Sequence, residues 1–472
     1  MWIALGSSVT WMTERNNTVT HHTEHPSVQS FPVFRTAQGP QKNWLERVLS
    51  VFADVRAGEG RVVIALTTNL ALLLASYYLL KTVREALILT EGGAEVKSYS
   101  AAAQALLLVF IVPAYGAFAS RVPRLKLIAW VMVFFIVQLL AFYFAGQAGL
   151  REGIVFFIWV GIFNVFVIAQ FWAFANDLFG EAQGKRLFPL VGVGGSLGAV
   201  IGAWAAAELL KLVGTHGLLL TAAAGIGICI GLTAVANRWT IHLDKEKEAT
   251  KAETPLGKEG GFELIFRDRY LLLVAILTVL LNVVNSSGEF LLSKLVVQQA
   301  HQLYGPGAEM ARRAFVGEFY AHFFGWVNLI GLVLQTVFVS RIFRYIGVRG
   351  SLFLLPSIAL TGYSLILIYP ALRAVRLIKI LENSTDYSVQ NTARQALFLP
   401  TSREAKYKAK EAVDTFFVRI GDVLLAGIVF VGTKLAFSIS GFAAISVVLT
   451  LIWLFVTVAI YREHKRRIPD VA

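Results

Sequence analysis

The sequence predicts an all-α polytopic membrane protein, with about twelve transmembrane helices in two six-helix halves. Three observations predict it. The 472 residues are 56% hydrophobic and only 15% charged, with a mean hydropathy of +0.64, where a soluble domain carries about 25% charged residues. Apolar runs of about 20 residues, the length that crosses a bilayer core, recur along the chain. Lys and Arg gather in alternate connections, the bias that orients spans in a membrane. The formal charge of +13 thus reports topology, and no nucleic-acid partner is expected.

Residues 1–43 are rich in Ser, Thr, His, Gln and Pro and lack the apolar core of a signal peptide. Residues 1–60 read as a disordered extension ending in WLERVLSVF, a short amphipathic helix for the membrane surface. Residues 61–237 hold the first six spans, beginning near Val62, Tyr99, Leu125, Gly153, Leu187 and Leu218. DKEKEATKAETPLGKEGG then breaks the pattern, which makes 238–270 a soluble linker. Residues 271–461 hold six more, beginning near Leu271, Phe319, Ser351, Ala371, Val413 and Phe442, and 462–472 form a basic tail. The single cysteine, Cys229, lies in the apolar run GIGICIGL and reads as a small buried hydrophobe. No metal site and no cofactor are expected.

Basic clusters follow the even-numbered spans, for example Arg121, Arg124 and Lys126 after span two, and Arg341, Arg344 and Arg349 after span eight. These loops define the cytoplasmic side, so both termini are expected there. SRVPR after span two and SRIFR after span eight are a weak internal repeat. Two six-span halves with matched basic loops resemble the major facilitator superfamily. That resemblance implies a substrate site near mid-bilayer between the halves.

Charges inside spans are the functional candidates, because a charge at membrane depth is costly and faces protein or a water-filled path. Lys81, Arg84 and Glu85 close span one. Lys81 and Glu85 are spaced to pair on one helix face, and Arg84 suits a phosphate or carboxylate. FWAF at 171–174 reads either as a stacking platform or as an interfacial belt. Gly194, Gly198 and Gly202, four apart, form a ridge for close helix packing with some freedom to bend during transport; no Walker spacing accompanies them. In span seven Asn282, Asn285, Ser286, Ser287 and Gly288 interrupt the apolar run before Glu289, a candidate countercharge or proton carrier.

The most polar stretch in the spans is 371–422. Arg373, Arg376, Lys379, Glu382, Asp386 and Arg394 follow a helical spacing and read as one wall of a transport path. Arg84, Arg376 and Lys379 are expected to share a central cavity. Asp414 and Arg419 read as structural ion pairing between spans ten and eleven.

Three blocks carry a closer likeness: LKTVREALILTEGGAEV, FWAFANDLFGEAQGKRLFPLVGVGG and QALFLPTSREAKYKAKEAVDTFFVRIGD. They resemble the ATP/ADP translocase family of plastids and intracellular bacteria, and more closely its bacterial relatives in free-living species. The resemblance covers roughly Leu73 to Asp422. It implies nucleotide exchange through a facilitator-like bundle. It also implies roles for the family's basic-acidic pair at Arg84 and Glu85, with Arg in place of the usual Lys, and for its lysine at Lys408 or Lys410. The family's span-four acid has no counterpart between Val155 and Gln170, and its span-seven acid falls one position from Glu289.

Together these features predict a non-enzymatic secondary transporter working by alternating access. It is expected to exchange nucleotides or a similar phosphorylated anion, as a monomer in a bacterial inner membrane. A proton-coupled carrier of another organic anion, using Glu289 or Asp386, is the second reading. A non-transporting scaffold or sensor is the third.

Overall fold

The computed structural model describes residues 42–51, 53–119, 121–240, 260–305 and 307–467. The expected extension up to residue 41, most of the linker and the last five residues lie outside the described residues. A short helix is present at Trp44–Leu49, and the Glu46 carboxylate accepts from the Asn43 and Gly58 amides at 2.9 and 2.7 Å.

Among the described residues, nine continuous helices are long and apolar enough to span a bilayer. Two of the twelve spans are hidden because they fail that test: one is short and one is charged. A third is hidden because two helices run together. Spans α1 (Gly60–Glu91), α2 (Gly93–Ala119), α3 (Arg124–Gln147) and α4 (Gly153–Leu178) are simple. Glu181–Thr240 is two spans, α5 (181–213) and α6 (215–240), because Gly214 takes a φ of 70° and breaks the axis. The second half begins with α7 (Arg269–Tyr304). Next, α8 (309–346) contains a π-turn at Leu334–Phe338 and ends at Gly347, again at φ 70°. The short span is α9 (Leu354–Ile368) and the charged one is α10 (372–396), with a π-turn at Asp386–Gln390. Two more π-turns open α11 (Ala405–Lys434), and α12 (Ile439–Arg467) closes the bundle. Residues 403–434 thus form one continuous helix, which begins well before Val413.

The glycine ridge does what its spacing suggests. A Cβ on Gly198 would strike the Ala71 backbone, one on Gly202 the Ala75 backbone, and one on Gly194 would stand 2.5 Å from the Thr67 carbonyl oxygen. Only glycine lets α5 approach α1 this closely. Asn69 then ties α1 to α6 by donating to Thr233 Oγ1 at 2.9 Å. Phe171 and Trp172 are buried, Trp172 edge-on to Phe188. They are packing, neither ligand platform nor interfacial belt, because α4 turns this face inward.

The halves meet along α2 with α11 and along α5 with α8. With an even number of spans, the described chain begins and ends on one face, here called the termini face. Three ion pairs cross between the halves toward the opposite face: Glu95–Lys294 at 2.8 Å, Glu91–Arg313 at 3.2 Å and Lys211–Glu318 at 3.7 Å. Near the termini face, Arg124–Asp177, Arg186–Glu59 and Arg394–Asp414 each stay within one half.

Candidate functional site

Between the halves, beneath the crossing ion pairs, lies a cavity of about 210 Å³. Its first wall is basic. Lys81, Arg84 and Glu85 share a face of α1, and the tight turn at Gly92 and Gly93 (φ 78°) returns α2 so that Lys97 meets them. Glu85 is held by two cations, Arg84 Nη2 at 2.5 Å and Lys97 Nζ at 2.7 Å. Lys97 also donates to Ser293 Oγ of α7 at 2.9 Å, which links the halves. The guanidinium of Arg84 lies 4.6 Å from the Phe157 ring centre.

Lys81 does not pair with Glu85, contrary to the expectation from spacing. Glu85 is already engaged by Arg84 and Lys97, and Lys81 Nζ instead stands 3.9 Å from the centre of the Phe324 ring and 5.3 Å from that of Tyr78. Lys81 is 8% exposed, and among the described residues no carboxylate or hydrogen-bond acceptor reaches its ammonium. A buried cation with only aromatic faces beside it is poised for an anion.

The facing wall belongs to the second half. Glu289 accepts from Asn383 Nδ2 at 2.7 Å. Asp422 accepts from Asn282 Nδ2 at 2.9 Å and lies 3.7 Å from Arg419. Asn285, Phe324 and Tyr387 complete this side.

Of the stripe on α10, Lys379 and Glu382 stand one layer behind the cavity. Lys379 is fully buried and donates to Asn285 Oδ1 (2.6 Å), Asn285 O (3.0 Å) and Glu382 (3.0 Å), with Glu289 at 3.9 Å. Tyr363 OH lies 3.0 Å from both Glu382 and the Val284 carbonyl. A Cβ on Gly288 would collide with Tyr363 OH and come 2.7 Å from Lys379 Cδ, so α7 needs glycine there to admit this clasp. Arg376 is elsewhere, stacked 5.1 Å from the Phe319 ring centre near the opposite face. The expectation that Arg84, Arg376 and Lys379 share one cavity is therefore corrected: only Arg84 lines it. Arg394 faces Asp414 at 3.8 Å. The π-turn at Asp386–Gln390 explains this, because one extra residue per turn rotates all that follows by about 100°. Asp386 sits in that turn, half-buried and outside the cavity lining. Lys408 and Lys410 lie half-buried at the start of α11, also away from the cavity.

Lys97, Asp422 and Phe324 join the site without having been predicted for it. Lys97 reaches Glu85 across a turn, which no helical spacing reveals.

The bundle is that of the major facilitator transporters. Solved structures of this fold cover most of the chain. A nucleoside transporter, NupG, matches with TM-score 0.58 and 13% identity over 84% of this chain and 99% of its own. A bacterial homologue of the iron transporter ferroportin, in an inward-facing state, matches with TM-score 0.59 and 14% identity over 85% and 98%. The family description TLC ATP/ADP transporter matches residues 153–464, and the chain belongs to that family of carriers. Among its relatives, ADP,ATP carrier protein 3 of Rickettsia prowazekii is 24% identical over 310 residues, 55% of this chain and 58% of that protein's length. ADP,ATP carrier protein 1 of Chlamydia pneumoniae is 23% identical over 55% of this chain and 56% of its own. The chain thus spans less than two thirds of the length of these relatives. A longer match, at 21% identity, links 82% of this chain to 89% of the Rickettsia conorii ADP,ATP carrier protein 3.

Proposed function

We propose that the protein is a secondary transporter that exchanges nucleotides, of the ATP/ADP antiport type, by alternating access through the cavity between its halves. The observation that carries this reading is Lys81, a buried ammonium aimed into the cavity beside Arg84 and free of any carboxylate. The relatives' description as ADP,ATP carriers supplies the substrate class. In this reading a phosphate group docks at Lys81 and Arg84, and Glu289, Asn285 and Asp422 complete the site from the second half. Lys379 and Glu382 brace the second-half wall, and Arg376, Asp386, Arg394, Lys408 and Lys410 act outside the cavity.

The termini face is cytoplasmic, because the basic loops lie there, and the membrane is a bacterial inner membrane. The crossing ion pairs then close the outer side, and the protein faces the cytoplasm. It works as a monomer, each chain holding both walls of the site.

A second reading, a proton-coupled carrier of another organic anion, is favoured by the carboxylates Glu289 and Asp422 on the cavity wall. The test is exchange in liposomes loaded with ADP and supplied with labelled ATP. Uptake that depends on internal ADP and is lost in Arg84→Ala supports nucleotide exchange. Uptake of other anions driven by a pH gradient, with nucleotides ignored, refutes it.

A further inference from the structure

The two walls of the cavity differ in sign. From the first half come three cations, Lys81, Arg84 and Lys97, against one carboxylate, Glu85, which leaves two positive charges. From the second half come two carboxylates, Glu289 and Asp422. Behind them stand Lys379 and Arg419, at 3.9 and 3.7 Å, and Glu382, which Lys379 also binds at 3.0 Å. With that layer included, the second-half wall keeps one negative charge. The whole site is therefore nearly neutral, with a surplus of one positive charge.

A nucleoside diphosphate brings about three negative charges. In a site of low dielectric, uncompensated charge is expensive. The shortfall is about two positive charges, and the acidic wall repels a bare phosphate rather than receiving it. A hard divalent cation supplies those charges. Such ions, Mg²⁺ above all, are held in proteins by one or two carboxylates together with the oxygens of a bound phosphate. Glu289 and Asp422 are those two carboxylates, and they face the wall where Lys81 awaits an anion.

We infer that the protein binds and moves its nucleotide as a complex with a divalent cation, the phosphates on Lys81 and Arg84 and the metal turned toward Glu289 and Asp422. This rests on the nucleotide-exchange reading. It assigns to Glu289 and Asp422 a metal-facing role in place of proton transfer.

The experiment is ADP/ADP exchange in proteoliposomes, with labelled ADP outside, under four conditions: EDTA alone, EDTA with a pH gradient, EDTA with a Na⁺ gradient, and excess Mg²⁺. Exchange is expected to be about tenfold faster with Mg²⁺ than in any EDTA arm. Glu289→Gln and Asp422→Asn are expected to raise the Mg²⁺ concentration for half-maximal rate about tenfold or more. Melting temperature without ligand is measured alongside, and if either variant melts early the wild-type arms decide the question alone. Equal or faster exchange in EDTA overturns the inference and leaves nucleotide exchange standing. Stimulation by the pH or Na⁺ gradient without Mg²⁺ also overturns it. No exchange in any arm defeats nucleotide exchange itself, and the inference falls with it.

Discussion

Lys81 of the first half stands over the ring of Phe324 of the second, with its ammonium 3.9 Å from the ring centre. The contact crosses the surface where the halves meet, so the cavity's buried ammonium and the aromatic ring beneath it are supplied by different halves.

Lys81→Met keeps the apolar stem and removes the charge. Losing a buried partner for an anion costs about 2–5 kcal/mol of binding. The half-saturation concentration for ADP is therefore expected to rise at least about tenfold, with the melting temperature nearly unchanged, as read by exchange assays and unliganded melts. A melting temperature that falls with no change in half-saturation would make Lys81 a packing residue.

Lys379→Met is expected to act on stability instead. It leaves Glu382 fully buried without its cation, and breaking a buried pair on one side costs about 3–5 kcal/mol. The double variant Lys379→Met/Glu382→Gln is expected to recover a good part of that loss, because the stranded charge is gone. Thermal unfolding in detergent compares the three proteins. Equal loss in the single and double variants would contradict the pairing.

Gly198→Ala and Gly227→Ala form a matched pair. The new methyl meets the Ala71 backbone at the first position and open space at the second. Overpacking costs about 1–3 kcal/mol, so Gly198→Ala is expected to melt well below wild type. Gly227→Ala is expected to melt at or slightly above it.

The Glu95–Lys294 bridge predicts a charge-swap rescue. Lys294→Glu puts two carboxylates across the closure opposite the termini face, and Glu95→Lys in the same chain restores opposite signs. Reaction of a cysteine introduced at Ser98, on the cavity wall, reports access from that side, while the native Cys229 is buried. Labelling is expected to quicken in the single variant and to return toward the parent rate in the swap.

How much of this was legible in the sequence depended on the kind of spacing involved. Apolar runs located most spans, and the charges of α10 marked it as a span facing protein. The ridge Gly194, Gly198, Gly202 was legible because its contact follows the helix repeat. Lys97 was not, because its partner Glu85 lies across the Gly92–Gly93 turn, and sequence spacing does not give the angle at which two helices return. Lys81 and Glu85 had the right spacing and still did not pair, because Glu85 had two nearer cations. The stripe from Arg373 to Arg394 assumed one environment along an unbroken α-helix, but Arg376 and Lys379 already point to different neighbours within Leu372–Thr385, and the π-turn at Asp386–Gln390 turns Arg394 away from both. Arg376 went to Phe319, Lys379 to the brace behind the cavity, and Arg394 to Asp414.

All four π-turns in the described residues fall in α8, α10 and α11, while the first half has none. The architecture repeats but its stiffness does not. In the first half α1 and α5 pack backbone to backbone. The second half carries the π-turns, so amide exchange under turnover is expected to quicken around residues 334–338, 386–390 and 405–417 and to leave 67–75 still.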